Sequence, residues 1–468
     1  MGRLVVVSNR VPASGRAPDA GGLAVGLAEA LRGDALWFGW SGEISGHNAT
    51  EAHISSAGNV TYATVDLSTD EYNRFYVGFA NGSLWPLFHF RIGLMEFRRE
   101  YLEGYLAVNR KFAAALLPLL RPDDTIWVHD YHFMPFAEEL RRLGVRNRTG
   151  FFLHTPFVPA SVFAALPQGE KLLEAMCSYD VVGFQTEPDR LGFLDCLHQL
   201  LGVEIGDGRR IFRGDRTITV LTNPIGIDPD SFAHDARRTA RSSEARRLQE
   251  SLVGRALILG VERLDYSKGL PQRFEGFRRL LSRFPDHRQK VSYLQIAARS
   301  RQDVNQYRAL RRELDQLAGN INGRFAEFDW VPLRYMTRSL TRSTLAGFHR
   351  ISRVGLVTPL RDGMNLVAKE YIAAQDPADP GVLVLSRFAG AARELDAALL
   401  VNPFDPDEIA ESLHLALAMP AEERVSRHAA LLEKVRAVTA RTWSQRMLEA
   451  LEEAPAAAAQ PASIDIVP

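Results

Sequence analysis

Short, unbroken apolar runs recur along the chain: Leu4–Val7, Ile126–Val128, Phe151–Leu153, Val181–Phe184, Leu257–Val261, Val291–Ile296, Val354–Val357 and Val382–Leu385. None alternates with polar residues, and each is closed by glycine, proline or a polar turn. That is the pattern of strands covered on both faces, as in parallel sheets. Longer stretches with helical spacing lie between them, over Tyr101–Leu120, Leu270–Arg283, Asp303–Ala318, Met364–Ala374 and Pro406–Ala418. Strand and helix in alternation predict an open, doubly wound α/β architecture. The alternation stops at Asn223-Pro224-Ile225-Gly226-Ile227-Asp228-Pro229, which is rich in turn residues and has no period, and then restarts. Two Rossmann-like α/β domains facing each other across a cleft follow, one over 1–225 and one over 226–440. A helix over about 441–453 crosses back to complete the first domain, and the alanine- and proline-rich tail 454–468 is expected to be disordered.

Candidate chemistry collects where the strands end. Val357-Thr358-Pro359-Leu360-Arg361-Asp362-Gly363-Met364-Asn365-Leu366-Val367-Ala368-Lys369-Glu370 leaves a buried strand, breaks at proline, turns at Asp362-Gly363 and is predicted to enter a helix at Met364. A helix start after a glycine turn offers free N–H groups and the positive dipole end to an anion. Glu370 then falls roughly 10 Å further along the same face, which suits the hydroxyls of a nucleoside diphosphate. Taken alone, the stretch is better read as an ordinary strand-to-helix corner with a solvated glutamate. Glu262-Arg263-Leu264-Asp265-Tyr266-Ser267-Lys268-Gly269 shifts that balance, because it puts two cations in one loop at the carboxyl end of a core strand.

In the first half, Asn9-Arg10 leaves a strand, and Gly21-Gly22 opens a helix after a loop too long for the dinucleotide fingerprint. The missing GxGxxG disfavours a nicotinamide dehydrogenase. Asp130 and His154 follow Val128 and Leu153 and should share one sheet rim. The aromatic residues from Tyr72 to Phe90 suit either a core or a sugar-binding wall.

Composition narrows the field further. In 468 residues, 56 basic and 56 acidic side chains give zero formal net charge, which argues against nucleic acid or an anionic membrane as partner. Only two cysteines are present, Cys177 and Cys196, which fits a reducing cytoplasm and no disulfide framework. No apolar run reaches transmembrane length, and no His, Cys or acidic group has metal-ligand spacing. Neither metal nor cofactor is expected.

The motifs Val6-Val7-Ser8-Asn9-Arg10, Gly21-Gly22-Leu23-Ala24-Val25-Gly26, Trp37-Phe38-Gly39-Trp40, Leu84-Trp85-Pro86, Trp127-Val128-His129-Asp130-Tyr131-His132, the 262–269 loop, the 357–370 stretch and Ser386-Arg387-Phe388-Ala389-Gly390 are ordered along the chain to about Glu453. With them the chain resembles the trehalose-6-phosphate synthase family, retaining glycosyltransferases of the GT-B fold. The resemblance implies glucosyl transfer from UDP-glucose to glucose 6-phosphate. It implies that Arg263 and Lys268 hold the donor diphosphate, with Gly21, Gly22 and the run Asp362, Gly363, Met364, Asn365, Leu366, Val367, Ala368 and Lys369 around the donor, and Glu370 on its ribose. Arg10, Tyr76 and Arg301 would take the acceptor phosphate, and Asp130 and Trp85 the acceptor sugar. Trp85 and Thr155 would set anomer selectivity. Arg263, Lys268, Asp130, His154 and Asp362 are the candidate catalytic set, and a homo-oligomer is expected.

The sequence departs from the family in three places. Arg299 adds a second cation beside Arg301, Thr155 follows His154 where an aliphatic residue is usual, and Leu340 stands where phenylalanine often meets the base. The nucleoside of the donor therefore stays open. So do a related retaining or pseudo-glycosyl enzyme with another acceptor, and a catalytically silent regulator.

Overall fold

The structure, a computed structural model, describes residues 2–12, 26, 27, 31, 33–46, 51–206, 208–214, 216–299 and 305–454. The strands are β1 (Leu4–Arg10), β2 (Ala35–Ser45), β3 (His53–Ala57), β4 (Val60–Ser68), β5 (Thr125–His129), β6 (Thr149–Leu153), β7 (Val181–Phe184), β8 (Arg210–Arg213), β9 (Arg216–Thr222), β10 (Ala256–Arg263), β11 (Val291–Ala298), β12 (Leu333–Met336), β13 (Val354–Val357), β14 (Val382–Ser386) and β15 (Leu399–Val401). Five helices matter for the site: α1 (Arg99–Leu116), α2 (Leu270–Arg283), α3 (Arg342–Ile351), α4 (Leu366–Ala374) and α5 (Ala440–Glu453).

The strands make two sheets, β3-β4-β2-β1-β5-β6-β7-β9-β8 and β12-β11-β10-β13-β14-β15. In each, the order runs outward from the first strand in both directions. β1 pairs in parallel with both β2 and β5, and β10 with both β11 and β13. The strand order thus reverses at β1/β5 and at β10/β13. Such switch points open a crevice at the carboxyl ends of their strands, where α/β sheets take ligands. The apolar runs behave as expected, with Val5 and Val7 packing into one core layer and Val6 into the other.

α5 returns to the first sheet. Its start is closed by a reciprocal pair, Thr442 N–H to Thr439 Oγ1 at 3.1 Å and Thr439 N–H to Thr442 Oγ1 at 2.8 Å. Its apolar face covers β6 and β7 at two glycines. A Cβ on Gly150 would lie 2.8 Å from Met447 Cε, and one on Gly183 would lie 3.5 Å from Met447 Sδ. Trp443 sits against Trp127 at 4.7 Å between ring centroids. The crossover at 223–229 lies directly on the start of this helix: Asn223 Nδ2 donates to Trp443 O at 2.9 Å, and a Cβ on Gly226 would fall 1.9 Å from Val438 O.

Several elements differ from expectation. The helix after Gly363 begins at Leu366, not Met364, because Asn365 takes a left-handed conformation with φ 74° and ends the turn there. Glu370 is therefore in the second turn of α4. The helix expected over Tyr101–Leu120 spans Arg99–Leu116, and the one expected over Asp303–Ala318 runs Asn305–Phe325. The aromatic region is a wide π-helical segment, Tyr72–Leu84, in which Asn81 Nδ2 donates to Tyr76 O at 2.8 Å. Ala454 is buried, and 455–468, where the disordered tail was expected, lie outside the described residues. Cys177 and Cys196 are free and buried, and no described helix is long and apolar enough to cross a membrane.

Candidate active site

β10 delivers Arg263 to the crevice, exposed and without a side-chain partner among the described residues. The chain then makes one tight turn, in which Asp265 Oδ1 accepts from Ser267 N–H at 2.9 Å and Tyr307 OH donates to Oδ2 at 2.8 Å. Gly269 has φ 65°, and a Cβ on it would sit 2.3 Å from Thr358 O, so the turn can lie flat on the end of β13. Lys268 is buried by this packing, and its ammonium is paired with the Asp362 carboxylate. Asn365 Nδ2 donates to the same Asp362 oxygen at 3.0 Å. Burial pulls the Asp362 carboxyl upward, but the charge and hydrogen bond of Lys268, helped by Asn365, outweigh it and leave Asp362 below its ordinary range.

Arg273, wholly buried on α2, holds these loops together from behind. Its guanidinium donates to Thr358 Oγ1 at 3.0 Å, Gln295 Oε1 at 3.1 Å and Glu262 Oε1 at 3.2 Å, groups just past β13, within β11 and near the end of β10. At the 362–366 turn, two glycines allow backbone to meet backbone. A Cβ on Gly363 would lie 2.0 Å from His154 O, and one on Gly390 would lie 1.8 Å from Gly363 O. The turn of the second domain therefore touches the rim of the first. Glu370 accepts from Arg342 Nε, at the start of α3, at 3.2 Å. Burial pushes the Glu370 carboxyl up, against the pull of Arg342. The Lys369 ammonium turns away from the turn, to Ile225 O at 2.9 Å and Glu394 Oε2 at 2.5 Å. Ala368 and Met364 are buried in the core beneath.

The facing rim comes from the carboxyl ends of β1, β5 and β6. Arg10 lies over the Trp40 ring at 5.6 Å, and Trp40 meets Tyr76 at 5.4 Å. Tyr76 also stacks on His132 at 6.0 Å. Asp130 has φ 76°, a strained backbone for a residue with a side chain. Its Oδ1 accepts His154 N–H at 3.2 Å. Trp85 is buried, and its Nε1–H points across the cleft to Asp265 Oδ1 at 3.4 Å. His89 Nδ1 lies 2.8 Å from Trp85 O, and burial lowers its pKa to about 4 despite Asp265 and Asp362 nearby. Burial alone lowers that of His154 to about 3. Thr155 is buried, and its hydroxyl has no hydrogen-bond partner among the described residues. Beside this rim, Arg361 stacks on Phe90 at 4.1 Å in a cavity of about 490 Å³ between the domains.

The two switch points thus bring together Arg10, Tyr76, Trp85, Asp130, His154 and Thr155 on one side and Arg263, Lys268, Asp362, Gly363, Asn365 and Glu370 on the other. Gly21, Gly22 and Arg301 lie outside the described residues. Arg299 is exposed just past β11, and Leu340 packs on the small core formed by β10, β11 and α3. Sequence reasoning did not nominate Trp40, Gln185, Arg273 or Arg342. Trp40 stood inside a quoted motif. The other three owe their places to contacts 22 to 85 residues away, with Arg273 reaching Thr358 and Arg342 reaching Glu370.

Two facing doubly wound domains, with the charged turns of one closing on the rim of the other, define the GT-B glycosyltransferase architecture. The model of glycosyltransferase family 20 matches residues 5–453, and the chain belongs to that family. It is 50% identical over 455 residues to a trehalose-6-phosphate synthase of Klebsiella pneumoniae, covering 97% of this chain and 95% of the relative. Two solved structures, each 48% identical, are similar throughout. The UDP-forming α,α-trehalose-phosphate synthase of Burkholderia xenovorans in complex with glucose 6-phosphate gives a TM-score of 0.94, over 96% of this chain and 100% of that one. The E. coli protein bound with UDP-2-fluoro glucose gives 0.92, over 97% and 99%.

Proposed function

We propose that this chain transfers glucose from UDP-glucose to glucose 6-phosphate with retention, giving α,α-trehalose 6-phosphate and UDP. The observation that carries the reading is the cradle of Arg263, Lys268, Asp362, Asn365 and the start of α4, set at the switch point of the second sheet. Its complement, Arg10 with Trp40 and Tyr76, faces it from the switch point of the first.

Glycosyl transfer breaks the bond between the anomeric carbon and the diphosphate, so negative charge grows on the leaving group. In the reading, Arg263, Lys268 and the N–H groups at the start of α4 meet that charge, and preorganised charge of this kind is usually the largest single catalytic contribution. Asp362 keeps Lys268 oriented before the donor arrives. In the reading, the acceptor hydroxyl attacks from the face the diphosphate leaves, and its proton passes to a leaving phosphate oxygen. Arg10, Tyr76 and Arg301 hold the remote acceptor phosphate and so orient that hydroxyl, while Asp130 and Trp85 hold the sugar. Glu370, already oriented by Arg342, is placed for the donor ribose. Trp85 and Thr155 bear on which anomer fits. The enzyme belongs in this reading to the cytoplasm and acts as a homo-oligomer.

Purified protein incubated with UDP-glucose and glucose 6-phosphate should release one UDP per α,α-linked disaccharide phosphate, read by NMR of the product. Glucose release without coupling, or coupling only to another acceptor, would overturn the assignment. A panel of nucleotide glucoses in the same assay fixes the donor base.

A further inference from the structure

Gln185 is 2% exposed, follows β7, and touches both the crossover between the domains and the histidine at the reaction centre. Its Oε1 accepts the Ile225 backbone N–H at 2.9 Å. A backbone N–H can only donate, so this contact fixes which end of the amide is oxygen. The Nε2 end must then face His154 Nδ1, which lies 3.4 Å away. An amide nitrogen can only donate, so His154 Nδ1 must be the acceptor and carry no proton. The neutral ring therefore holds its proton on Nε2, where it meets His129 Nδ1 at 3.1 Å. Both ring nitrogens are thereby committed, and a second proton on His154 would point straight at the Gln185 amide hydrogens.

The other side of Ile225 continues the chain of contacts. Its carbonyl accepts from Lys369 Nζ at 2.9 Å, and Lys369 is the neighbour of Glu370 on α4. One residue of the crossover, Ile225, thus receives the donor-side helix at its C=O and holds Gln185 through its N–H. We propose that Gln185 is a positioning residue for the transfer reaction: it locks His154 as the neutral Nε2–H tautomer and ties that ring to the crossover residue held by α4. The burial that lowers the His154 pKa acts in the same direction. The proposal rests on the reading of His154 as a member of the candidate catalytic set.

Gln185→Glu tests it. A carboxylate at this position still accepts from Ile225 N–H, so the link to the crossover survives. Toward His154 it accepts rather than donates, which demands a proton on Nδ1. In protein carrying 15N-labelled histidine, with the His154 signals identified by their loss in His154→Phe, the proton should move from Nε2 to Nδ1 in Gln185→Glu. Turnover should fall at least about tenfold, since a wrongly held histidine tautomer costs more than that in other enzymes. The KM for glucose 6-phosphate should change less than about twofold. Gln185→Leu, which removes both contacts, should melt earlier, and its His154 should show both tautomers. An unmoved Nε2 proton in Gln185→Glu overturns the positioning role. A moved proton with unchanged turnover leaves the lock standing and overturns the catalytic reading of His154 instead.

Discussion

On the second domain's rim, most of the charge is met within the protein before any ligand arrives. Lys268 is paired with Asp362 and Arg342 with Glu370, Arg273 fastens three neighbouring strands from beneath, and Arg263 stands exposed without a side-chain partner among the described residues. On the first domain's rim, Arg10 rests on the Trp40 ring, and Tyr76 packs tilted against Trp40 and stacks on His132, contacts that orient a cation without neutralising it. Paired charges hold a site rigid at the cost of some field strength. A cation over an aromatic face keeps its charge for an incoming phosphate. The donor side is therefore prebuilt, whereas the acceptor side waits for an anion.

The largest effect should come from separating the two cations of the donor side. Lys268→Met leaves the buried Asp362 carboxyl with Asn365 but without its cation, and breaking a buried pair in this way typically costs about 3–5 kcal/mol. The melting midpoint should fall by several degrees and turnover by at least about a hundredfold. Arg263→Ala should lose turnover on the same scale with an unchanged midpoint, because Arg263 is exposed and supports nothing. If Arg263→Ala melts as early as Lys268→Met, the pairing does not distinguish them.

That contrast was half legible in the sequence. Arg263 and Lys268 were visible as cations after a core strand, because a both-face-buried strand must be a continuous apolar run. Their difference was not visible, since it depends on Asp362, 94 residues beyond Lys268. The helix start was misplaced by two residues because Asn365 takes a left-handed φ that propensity assigns first to glycine. β3 and β12 escaped notice for another reason: they lie at sheet edges, and His53–Ala57 is mostly exposed, so neither has a continuous apolar run. The π-helical Tyr72–Leu84 carries no periodicity that distinguishes it from an α-helix. Gly363 and Gly390 could be read as turn residues, but their backbone contacts with His154 and with each other come only from the fold.

On the acceptor side, Arg10→Ala should raise the KM for glucose 6-phosphate about tenfold or more and leave UDP affinity unchanged, measured by initial rates and calorimetry. It should also narrow the preference for glucose 6-phosphate over glucose. Arg301→Ala should act alike, and Arg299→Ala should do less. If Arg299→Ala proves the more damaging, the phosphate contact is shifted by two residues.

A smaller effect concerns pH. Burial lowers His154 to about 3 and His89 and His349 to about 4, from an ordinary 6.5. Below pH 6.5 the unfolded chain takes up protons at these positions while the folded chain does not. Stability should therefore fall as pH drops from 6.5 toward 4, with a slope of up to about 1.4 kcal/mol per pH unit for each histidine. Above 6.5 these groups contribute no slope. Melting followed from pH 8 to 5 checks this, and His349→Gln, away from the cleft, should flatten the acid limb.

Calorimetric titration of UDP alone into wild type, Arg10→Ala and Arg263→Ala asks whether the second domain's rim is complete by itself. A prebuilt donor cradle requires wild-type affinity in Arg10→Ala and at least about tenfold weaker binding in Arg263→Ala, a loss of about 1.4 kcal/mol or more. Equal weakening in both, or none in Arg263→Ala, would contradict it.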